Sequence, residues 1–94
     1  MSRYLITRVL DDLDEHEQGQ IGVQARRLIL EDYPEITWEH SHVVTDSAGN
    51  LRTFCVYDAP SEDVIRAHGD RLEHTSIETI YEIGGDISPA DFPV

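Results

Sequence analysis

Lysine is missing from this chain. All seven of its basic residues are arginine, set against nineteen acidic ones, for a formal net charge of −12 over 94 residues. Such a surface repels phosphate, which argues against nucleic acid and anionic membrane as partners. Cysteine occurs once, at Cys55, so there is no internal disulfide framework and the usage fits a reducing compartment. No apolar run approaches membrane-spanning length, and no signal-peptide pattern opens the sequence. These absences predict a soluble, cytoplasmic protein. An acidic surface without lysine also suits a high-salt interior, where ions screen self-repulsion. A GC-rich genome that favours arginine gives part of the same pattern.

What is present is an ordinary globular composition, 39% hydrophobic and 28% charged. The length predicts one domain over residues 1–94, with its core between about residues 3 and 87 and a short tail at 88–94. A core this small leaves dimerisation as a natural way to bury more apolar surface.

Hydrophobic periodicity divides the chain into six elements. Arg3 to Leu10, "RYLITRVL", reads as a strand. The acidic "DDLDEHEQGQ" precedes a run in which Ile21, Ala25, Leu28 and Ile29 recur at spacings of three and four, the helical period. Pro34 ends that helix near Tyr33. Ile36 to Thr45 and "LRTFCVYDA" are two strands around the turn residues "DSAGN", a β-hairpin. Ser61 is placed to cap a second helix whose face carries Val64, Ile65, His68 and Leu72. "TSIETIYEIGGD" is a last strand closed by a Gly-Gly break, and "ISPADFPV" is the tail. The order β-α-β-β-α-β predicts an α+β, ferredoxin-like fold, an antiparallel sheet with two helices on one face. Leu5 and Val9 alternate with Tyr4 and Ile6, so the strand is apolar on both sides and the open face calls for a second copy to cover it.

The chemistry concentrates in "TWEHSHVVT". His40 and His42 are two apart on a strand, so they share a face at about 7 Å, and nitrogen donors suit nickel, copper or zinc. Unbroken alternation puts Trp38 and Val44 on that face too. Two imidazoles do not close a metal site, and the alternative is a pair of solvated hairpin histidines. Cys55 falls opposite His40 if the hairpin register sums to 95, and opposite Ser41, on the other face, if it slips by one. A thiolate adds a soft ligand; a buried free cysteine otherwise behaves as a small hydrophobe. Arg8 is a charge within an apolar strand and needs a partner, either an anionic ligand or a carboxylate such as Glu78 or Glu82. His68 on an apolar helix face is either a packed core residue or a binding one. His16 and His74 read as surface residues.

"RYLITR", "TWEHSHV", "TFCVYDAP", "VIRAHG" and "IYEI" together resemble a small bacterial and archaeal family of unassigned role, over roughly Arg3 to Ile83. That family includes a nickel-binding protein with a ferredoxin-like fold and a dimeric α/β barrel. Arg8, Trp38, Ser41, Cys55, Tyr57, Ala59 and His68 match its pattern. Thr7 stands where an acidic residue is frequent, and His42 where an aromatic such as tyrosine is common. The resemblance implies the fold, a homodimer and a link to nickel.

Three functions compete. The first is a small metal-binding protein for Ni²⁺ or another divalent transition metal, acting in buffering or sensing through His40, His42 and Cys55, with no organic cofactor. The second is a cofactor-independent binder or enzyme of oxygenase or isomerase type, with Arg8, Trp38, Tyr57 and His68 around a pocket; it rests on fold analogy. The third is a structural dimer without a small ligand.

Overall fold

The computed structural model describes residues 1–12 and 14–94. Its elements are β1 (Ser2–Leu10), α1 (Glu15–Glu31), β2 (Thr37–Thr45), β3 (Leu51–Ala59), α2 (Glu62–Asp70) and β4 (Thr75–Glu82), with a 3₁₀ turn at Pro89–Asp91 in the tail. The strands form one antiparallel sheet in the order β2-β3-β1-β4. This is the expected ferredoxin-like α+β arrangement.

Local chemistry explains the helix starts. Asp14 caps α1: its carboxylate accepts from the Glu17 amide at 2.8 Å, and the Glu17 carboxylate accepts from the Asp14 amide at 3.3 Å. This reciprocal capping box satisfies two donors that a helix start leaves free. Ser61 caps α2 by accepting from the Val64 amide, with Glu62 and Asp63 in the first turn, where the helix dipole favours negative charge. The hairpin turn depends on Asp46, whose side chain accepts from the amides of Ala48 and Asn50, and on Gly49 at φ 87°, a conformation that suits glycine.

The core lies between one sheet face and the two helices. Tyr4 and Ile6 of β1 and Cys55 and Tyr57 of β3 meet Ile29 of α1 and Ile65 of α2. Gly69 lets α2 approach β4 closely. A Cβ there would sit 2.5 Å from the Ile77 Cδ1 and 3.4 Å from an Arg8 terminal nitrogen.

Two irregularities decide which residues face where. Between Trp38 and His40 the β2–β3 register shifts by one, leaving Glu39 as the extra residue of a β-bulge. Between Thr7 and Arg8 the β1–β4 register shifts likewise, and Glu78 is the extra residue. On the open face, Leu5, Val56 and His40 form one row and Thr7, Phe54 and His42 the next. That face carries exposed apolar surface at Val44, Phe54 and Tyr81.

Candidate functional site

The Glu39 bulge splits the "TWEHSHV" stretch between the two faces. Before it, Trp38 pairs with Tyr57; after it, Ser41 pairs with Cys55 and Val43 with Thr53. Trp38 and Ser41, three apart, therefore share the helix side, and the Trp38 indole N–H donates to the Ser41 Oγ at 2.9 Å. His40 and His42 point to the open face. Unbroken alternation would have kept Trp38 with the histidines, and the bulge corrects that expectation.

The two histidines do come together. Their ring centroids are 5.3 Å apart in an edge-to-face arrangement, and both residues are exposed. Beside them, Glu39 receives two hydrogen bonds from the Arg3 guanidinium, at 2.7 and 3.1 Å, and this holds its carboxyl below the usual range. Arg3 also binds Asp86 at 2.7 Å, which ties the segment after β4 to the bulge. Cys55 does not join the histidines. It is 5% exposed on the helix side, in the core, so the register that sums to 96 holds and separates it from both imidazoles by the sheet itself. Among the described residues, no group of three or more His, Cys, Asp or Glu side chains could hold a metal ion.

On the other face the structure gathers a second set. A cavity of about 180 Å³ lies between α1 and the sheet, and Arg8, Trp38 and Tyr57 are in its wall, with Ser41, Thr53 and Cys55. Arg8 is 4% exposed, and no group among the described residues accepts a hydrogen bond from either terminal nitrogen. The expected ion pair with Glu78 or Glu82 does not form. The β4 bulge turns Glu78 to the open face, where Arg52 takes it. Glu82 pairs with Tyr4, four residues along β1 from Arg8 and so about 13 Å away. Burial pushes the Tyr57 phenol up to about 12, against the Arg8 charge and an Arg8 hydrogen bond that lower it, so the phenol is neutral at physiological pH.

His68 is fully buried behind Tyr57, outside the cavity wall. Its Nε2–H donates to the Ala25 carbonyl at 3.0 Å, and its ring packs edge-on against Tyr33 and Tyr57. Burial lowers its pKa, the Ala25 bond opposes this, and the charges of Arg8 and Arg71 lower it further. His68 thus holds α2 to α1 as a neutral imidazole. A depressed histidine binds fewer protons folded than unfolded, so its contribution is complete above the ordinary value of 6.5 and is lost as pH falls from there toward the folded value. Urea midpoints should therefore fall as pH drops below about 6.5, and His68→Leu should flatten that drop. An identical slope in the variant would remove His68 from the account.

Sequence reasoning missed Ser41 as the partner of the Trp38 indole and Gly22 and Ala25 as the α1 wall of the cavity. Gly22, unfavourable in a helix, was the available signal for the second.

Among the described residues, no helix is long and apolar enough to cross a membrane. No curated protein gives a significant match to the sequence. The family model described as nickel responsive protein SCO4226-like matches residues 4–83, and the chain belongs to that family.

Proposed function

We propose that this protein is a small Ni²⁺-binding protein and that His40 and His42 are the ligands it contributes. The observation that supports this reading is the convergence of two exposed imidazoles on the open sheet face, centroids 5.3 Å apart, in a member of a family named for nickel responsiveness. Imidazole nitrogens suit Ni²⁺. With bonds to a metal near 2.1 Å, two nitrogens need to come within about 3 Å of each other, which side-chain rotation reaches from this spacing. One chain offers half of a four-donor set. A second copy packed face to face would bring two further imidazoles and cover Val44, Phe54 and Tyr81. Cys55, in the core, has no part in this site. Bound metal would tie the two sheets together and couple nickel to the dimer, which is what a sensor or a buffer needs.

Calorimetric titration of untagged, metal-stripped protein with Ni²⁺ tests the reading. Micromolar or tighter binding is expected, and His40→Ala/His42→Ala should weaken it by about 100-fold or more, since removal of the donors leaves no chelate. Binding that survives in the double variant would place the metal elsewhere.

A further inference from the structure

Arg8 presents an unusual combination. The chain has nineteen acidic residues, and its other sheet arginines use them: Arg3 binds Glu39 and Asp86, and Arg52 binds Glu78 and Asp46. Arg8 is the most buried of the three and meets no carboxylate among the described residues. A desolvated guanidinium whose terminal nitrogens have no acceptor and which meets no counter-charge is costly, by several kcal/mol per ion in typical interiors, so a fold that holds one is expected to use it.

The surroundings indicate the use. Arg8 is in the wall of the cavity between α1 and the sheet, and the rest of that wall is largely apolar: Leu10, Ile21, Ala25, Trp38, Val43 and Leu72. The Ser41 and Thr53 side chains add hydroxyls, although Ser41 already accepts the Trp38 N–H. At about 180 Å³ the space slightly exceeds the roughly 150 Å³ of an apolar cavity known to take benzene. Turned toward this space, the Arg8 guanidinium would present a planar fork of donors that matches a carboxylate, which it can hold through two parallel hydrogen bonds. We propose that this cavity binds a small monocarboxylate with an apolar body, aryl or short branched alkyl, its carboxylate on Arg8 and its body against Trp38. The site is on the opposite sheet face from His40 and His42 and is independent of nickel.

The probe is benzoate, titrated into metal-stripped protein and followed by emission of Trp38, the chain's one tryptophan. Saturable binding is expected. Benzyl alcohol, which has the body without the charge, and inorganic phosphate, which has charge without the body, should each bind more weakly. Arg8→Met keeps an apolar stem and removes the unpaired charge; it should weaken benzoate by about 10- to 100-fold, the worth of a charge-assisted pair. Gly22→Leu leaves Arg8 in place and adds bulk at the cavity wall, where a Cβ on Gly22 meets nothing within 4 Å; it should weaken benzoate by at least as much. If Arg8→Met fails to fold, Gly22→Leu decides. No saturable signal with benzoate, or affinity unchanged in the folded variants, would overturn the proposal.

Discussion

Tyr57→Ala is expected to destabilise the fold by about 3–5 kcal/mol, the range for removing a fully buried aromatic side chain. Tyr57 is 1% exposed near the C-terminal end of β3 and is where three parts of the molecule meet. Its ring packs against Trp38 of β2 at 6.0 Å and against His68 of α2 at 5.9 Å, and it pairs across the sheet with Tyr4 of β1. The cavity already lies on one side of it, so the truncated site would enlarge an existing void rather than collapse. Domains of this size have about 5–14 kcal/mol in all, so the variant should lose more than about 12 °C in melting temperature at fixed protein concentration. Tyr57→Phe separates packing from the phenol. It keeps the ring and should cost no more than about 1.5 kcal/mol, the worth of one hydrogen bond. A cost below about 1 kcal/mol for Tyr57→Ala would show that the ring is not the centre of the core.

Phe54→Asp is expected to dissociate a face-to-face dimer. Phe54 lies between Thr7 and His42 in the middle of the open face and is 36% exposed in the single chain. Under a second copy it would become buried, and a carboxylate there would lose its water without gaining a partner. Removing a central aromatic anchor alone costs an interface about 2 kcal/mol or more, which raises the dissociation constant at least ~30-fold. The added charge makes it larger, and the net charge of −12 adds repulsion. Sedimentation at micromolar concentration should show wild-type dimers and variant monomers, and only the wild type should melt at a concentration-dependent temperature. A wild type that is monomeric throughout, or a variant that still dimerises, would place any self-association elsewhere, for example along the exposed edge of β2. In the nickel reading the same variant should also lose affinity for the metal, although both histidines remain.

The element order was legible because each segment carries its own signal: an apolar period, a cap such as Ser61, or a turn such as "DSAGN". Of Arg8, Trp38, Tyr57 and His68, expected around one pocket, the first three share a cavity wall and His68 lies outside it, behind Tyr57. The positions of the bulges were not. Glu39 and Glu78 are unremarkable strand residues, and nothing local marks either as the extra one; the register is set by the neighbouring strands and by contacts such as Trp38 with Ser41 and Arg52 with Glu78. That is why Trp38 was expected beside the histidines and why Arg8 was expected to find an acid. Cys55 posed a choice between two registers, and pairing chose the one that buries it.

The Glu39 bulge acts as a phase shift written in a single residue. Upstream of it, Trp38 looks inward; downstream, the even-numbered positions of β2 look outward. Deleting Glu39 alone would leave every other letter in place and yet invert the strand. Either Trp38 would move to the open side, or His40 and His42 would be driven into the core against α1. When relatives are aligned, the meaningful question at these columns is therefore on which side of the sheet a histidine emerges, and a one-residue gap near Glu39 matters more than a change of residue type.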